Sequence, residues 1–83
     1  MINHTKLSFN EIVAIHNQLL KNGIKRKVKD IKVTQMPTVC NNNVIYSTVC
    51  EFISDSKNIS INIVSKHQFD VVLIHKQLER CFI

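Results

Sequence analysis

Between residues 58 and 63 the chain reads Asn-Ile-Ser-Ile-Asn-Ile, with an apolar residue at every second position. That period belongs to a strand with one face in a core and one in water. Upstream, residues 44–53 are rich in β-branched and aromatic side chains, and residues 54–58 supply turn formers that bond their own backbone. The two runs predict an antiparallel hairpin. An earlier strand is expected over residues 29–36, where Ile31 and Val33 alternate with Lys32 and Thr34. It should end at Met36-Pro37-Thr38, since proline cannot donate to a ladder. Asn41-Asn42-Asn43 then reads as a loop into the second strand.

Two stretches carry helical periodicity instead. Ser8-Phe9-Asn10-Glu11 has the spacing of a capping box with Leu7 and Ile12 as its staple, so a helix should begin at Phe9. Phe9, Ile12, Val13, His16, Leu19 and Leu20 recur every three or four residues as its apolar stripe. Gly23, the single glycine, stands where a left-handed cap would end it. Ser65-Lys66-His67-Gln68 has the form of a second capping box, with Val64 and Phe69 at staple spacing. It predicts a last helix over residues 66–81 that buries Val71, Ile74, Leu78 and Cys81, broadened by Phe69, Val72 and Leu73. Lys76, Gln77, Glu79 and Arg80 are expected in water, with Lys76 and Arg80 complementing the helix dipole.

The fold class is therefore α+β: a three-stranded antiparallel sheet with two helices packed on one face, in the order αβββα. The 83 residues make one domain, with residues 1–7 as an N-terminal arm, and the 45% apolar content suffices for a single core. Three cysteines, Cys40, Cys50 and Cys81, show no close pairing and favour a reducing compartment. Neither a signal peptide nor a membrane-spanning run is expected, which indicates a cytoplasmic protein, of the producing or host cell. The abundance of Ile, Lys and Asn suits an AT-rich genome such as a phage or virus.

Charge changes the picture most. The net charge of +5 makes a polyanion a reasonable partner, and Lys25, Arg26, Lys27, Lys29 and Lys32 concentrate it on one segment, relieved only by Asp30. Such a cluster serves either as a charge-protected sheet edge or as a phosphate contact. Lys66 and His67 would fall in the first turn of the last helix, where a cation is unfavourable unless an anion sits there too. Either Asp70 offsets that cost or a phosphate does. Chemistry of other kinds finds little support: the six carboxylates are scattered, no glycine-rich loop exists, and the His and Cys residues lack zinc-type spacing. No enzyme, metal or other cofactor is expected, and His16 reads as a core or boundary histidine.

The order of elements, the loop containing Pro37, and a third strand leading into Ser65-Lys66-His67 resemble the double-stranded RNA-binding domains, whose last helix opens on Ser-Lys-Lys. Asn10 and Glu11 resemble the polar pair that these domains set against a minor groove. The resemblance implies that the first helix meets one minor groove, the Pro37 loop the next, and Lys66 and His67 the phosphates between, over about 16 bp. The expected partner is thus RNA, double-stranded or structured, held through Asn10, Glu11, Lys25, Arg26, Lys27, Lys29, Lys32, Lys66 and His67. The alternative is a small viral or phage inhibitor that covers a host or defence protein, through a strand edge or the apolar tail Cys81-Phe82-Ile83. That tail also offers a route to a homodimer.

Overall fold

The computed structural model describes residues 6–23 and 28–83, and runs α1 (Phe9–Lys21), β1 (Asp30–Cys40), β2 (Asn43–Ile53), β3 (Asn58–Ser65), α2 (Val71–Phe82). The strands form one antiparallel sheet in the order β1-β2-β3. Register stacks three cross-strand rows on one face: Ile31, Phe52 and Ile59; Val33, Cys50 and Ile61; Gln35, Thr48 and Ile63. Both helices cover this face, so Ile15 and Leu19 of α1 and Ile74 and Leu78 of α2 join Ile31, Cys50 and Phe52 in one buried cluster. Each fully buried Ile, Leu or Phe contributes about 1.5–3 kcal/mol.

α1 starts where the capping box places it. Ser8 Oγ accepts from the Glu11 N–H at 3.2 Å while Glu11 Oε1 accepts from the Ser8 N–H at 2.8 Å. The helix ends at Asn22, followed by Gly23 at φ +76°, the left-handed position that suits glycine. The stripe, however, has a different phase from the one expected. Ile12, Ile15 and Leu19 face the sheet, whereas Phe9 is 80% exposed and Val13, His16 and Leu20 are also exposed. α1 lies along β3 at the side of a three-stranded sheet, which is wide enough to cover one narrow row of that helix. His16 is exposed and not a core or boundary residue, with its ring stacked 6.3 Å from that of Phe82.

β1 does not stop at Met36. It continues through Pro37 to Cys40 because it is an edge strand. The Ile31 carbonyl accepts from His75 Nε2 at 2.8 Å, outside the ladder. Backbone groups of alternate residues point the same way, so Pro37, six residues on, turns its missing N–H toward the same free edge and forfeits no ladder bond. Asn41 and Asn42, at φ 51° and 64°, form a two-residue turn of the primed kind in place of the expected loop. β1 and β2 have eleven residues each and β3 has eight. The hairpin end beyond Pro37 and Tyr46 therefore projects past the third strand.

The start of α2 is the largest departure. Ser65 is the last residue of β3, paired with Tyr46, and its Oγ accepts from the His67 N–H at 2.9 Å in a local turn. Residues 66–70 climb from the sheet to the helix layer, and Asp70 is the N-cap, its Oδ1 accepting from the N–H groups of Val72 (3.0 Å) and Leu73 (3.3 Å). Phe69 and Ile74 occupy the staple positions about this cap and both are buried. Val64, the expected staple partner of Phe69, is 65% exposed on the opposite sheet face. Ladder pairing of Ser65 rules out a helix beginning there, so Lys66 and His67 lie before α2. Cys81, Val72 and Leu73 are exposed instead of joining the buried face, and Phe82 is partly buried, edge-on to Phe52 at 5.5 Å.

Candidate nucleic-acid interface

The cations and polar residues expected to meet RNA separate into two groups. Asn10 is exposed on the first turn of α1, and Glu11 lines a cleft of about 220 Å³ together with Ser8, Ser65, His67 and Phe69. Lys66, also exposed, follows at the same end of the sheet. Lys29 and Lys32 sit at the other end. Counting 3.3 Å per residue along β1 from the level of Pro37, which aligns with Tyr46 and Ser65, they are roughly 17 and 26 Å away for Lys32 and Lys29 respectively. Lys25, Arg26 and Lys27 lie outside the described residues.

Several of these residues already have local duties. Lys29 Nζ is 2.7 Å from Asp55 Oδ1, whereas Lys32, opposite Glu51 in the register, makes no ion-pair contact among the described residues. Glu11 completes the α1 cap. The amino ends of both helices are closed by their own side chains, Ser8 and Glu11 for α1 and Asp70 for α2. The Asp70 carboxylate occupies the anion position that Lys66 and His67 were expected to flank, so a phosphate held by the α2 dipole does not fit this arrangement.

What remains is uncompensated charge. Among the described residues Lys29 is the one lysine or arginine in ion-pair contact with a carboxylate; Lys57 Nζ donates to the Asn22 carbonyl at 2.7 Å. Lys6, Lys21, Lys32, Lys66, Lys76 and Arg80 are all exposed. Three of them, Lys6, Lys76 and Arg80, line a single cleft of about 430 Å³ with Leu73, Gln77 and Cys81. Sequence periodicity could show that Lys76 and Arg80 share a helix face; it carried no signal that Lys6 joins them.

The β1–β2 hairpin is the second surface absent from the sequence reading. Val39 (73%) and Val44 (46%) are exposed on its projecting end and Met36 (68%) just before that end on the other face, and no charged or histidine residue occurs between Lys32 and Glu51. Phe82, by contrast, is tied to Phe52, which leaves Cys81 and Ile83 as the exposed part of the C-terminal tail. Cys50 is fully buried, and burial pushes its thiol up to about 11. No described helix is long and apolar enough to cross a membrane.

Comparison with protein-family models, with curated proteins and with solved structures finds no match. The class defined by the coordinates is a small α+β domain of αβββα order. With the double-stranded RNA-binding domains it has that layout in common, while its first two strands are joined by a two-residue turn and its last helix opens on Asp70.

Proposed function

We propose that this protein is a small basic RNA-binding protein, of phage or viral origin, that contacts phosphate backbone by shape and charge. The observation that carries this reading is the set of exposed lysines and arginine with no carboxylate partner among the described residues. Like charges held on one small domain repel each other, and a polyanion relieves that repulsion while releasing counterions. The αβββα layout and the grouping of Asn10, Glu11, Lys66 and His67 at one end fit a double-stranded or structured RNA. Fluorescence anisotropy with RNA and DNA duplexes of about 20 bp, longer than the roughly 16 bp one such domain spans, tests it. Tighter binding to RNA is expected, falling steeply between about 50 and 200 mM salt. Equal affinity for the two duplexes, or no binding at low salt, refutes it.

A second reading, an inhibitor that binds a host or defence protein, is favoured by the uncharged hairpin with Met36, Val39 and Val44 exposed. Charge is depleted at the centre of protein interfaces. This reading expects a partner retained at high salt after nuclease treatment.

A further inference from the structure

We infer that the cleft between the segment preceding α1 and the outer side of α2 seats a backbone phosphate of the bound RNA, with Lys6, Lys76 and Arg80 as its donors. The inference rests on the RNA-binding reading and adds a surface outside the residues that the family resemblance indicates.

The convergence of these three side chains is built by a specific contact. Gln77 Oε1 accepts from the Leu7 N–H and Gln77 Nε2 donates to the Leu7 carbonyl, both at 2.8 Å. This amide-to-backbone pair, across seventy positions of sequence, is locked by burial of the Leu7 side chain, which is 4% exposed. Lys6 is thereby brought to α2, where Lys76 and Arg80 lie one turn apart on the same face. Like charges at this spacing disfavour the helix. Arg80 suits the carboxyl end of α2, but Lys76 is in the middle of the helix and Lys6 is on another segment, so the dipole does not account for the group.

Among the described residues nothing acidic lines the cleft. Glu79, between the two cations in sequence, directs Oε1 toward His75 Nδ1 at 3.4 Å. The volume of about 430 Å³ lies within the range of ligand sites. An arginine fork can hold two phosphate oxygens at once, and the lysines add point charge from either side. Leu73 and Cys81 give the lining an apolar part, against which a sugar can rest.

The test compares two charge-matched variants in the anisotropy assay with RNA duplex: Lys76→Gln with Arg80→Gln, and Lys21→Gln with Lys57→Gln. Circular dichroism confirms that each is folded. The first variant should lose about tenfold or more in affinity and lower the salt slope by about 1, the contribution of the one phosphate the cleft would no longer neutralise. Adding Lys6→Gln should weaken binding further with little more change in the slope, since the same phosphate is involved. The Lys21 and Lys57 variant should keep most of the slope. Wild-type RNA binding that is unchanged by the cleft variants overturns the inference and leaves the RNA reading standing. So does an equal loss in both pairs, which would reflect net charge alone. A wild-type protein that binds no RNA removes the reading and the cleft with it.

Discussion

Where α2 begins can be measured as an energy. Asp70 accepts from two N–H groups of the first turn and places negative charge at the positive end of the helix dipole. Asp70→Ala removes both bonds, at a cost of about 1 kcal/mol for the cap within a range of about 0.5–2, and of about 0.3–1 kcal/mol more for the dipole. Ser65→Ala removes one acceptor in an exposed turn, His67 N–H to Ser65 Oγ, and water can replace it. That change should cost about 0.5 kcal/mol or less. For a domain of this size 1 kcal/mol corresponds to about 4–8 °C in Tm, so thermal unfolding followed by far-ultraviolet circular dichroism separates the two variants. With the cap at about 1 kcal/mol, Asp70→Ala should lower Tm by about 5–16 °C and Ser65→Ala by a few degrees at most. The reverse order, with Ser65→Ala the more damaging, would mean that the capping box at Ser65 does form and that Lys66 and His67 belong to the helix after all.

Two further outcomes follow from the core. Thr48 is fully buried and its hydroxyl has no hydrogen-bond partner among the described residues. An orphaned buried polar group costs about 1–3 kcal/mol, so Thr48→Val, which keeps the shape, should raise the urea midpoint by the equivalent of about 1 kcal/mol or more; a lowered midpoint would reveal a partner for the hydroxyl. For Cys50, burial disfavours the thiolate and raises the folded-state value to about 11 from 9.0. Stability from the neutral thiol is thus present in full below pH 9.0 and declines as pH rises toward about 11. At pH 8 iodoacetamide should modify the exposed Cys40 and Cys81 and spare Cys50 until the chain unfolds. Labelling of Cys50 at the rate of the other two would contradict its burial.

Strand alternation over residues 58–63, the Ser8 capping box and Gly23 are all local signals, set by residues within a turn or two of each other. They are also the places where expectation and structure agree. The order αβββα follows from them, since each element announces its own period. The edge position of β1, and hence the tolerance of Pro37, depends on which strand lies in the middle of the sheet. Periodicity along one strand does not contain that information.

The candidate site was less legible for the same reason. Ser65-Lys66-His67-Gln68 has the residues of a helix start, and so, in the structure, does Asp70. The choice between them is made by Tyr46, which pairs with Ser65 and holds it in the ladder. In α1, Ile15 competed with Val13 and His16 for the core, and the narrow sheet decided in favour of Ile12, Ile15 and Leu19. The amino-acid order by itself determined the kinds of element, their succession and the excess of positive charge. Only the tertiary structure decided that Gln77 binds the Leu7 backbone and sets Lys6 beside Lys76 and Arg80, because a pairing across seventy positions is fixed by the shape of the packed core and not by any neighbour in sequence.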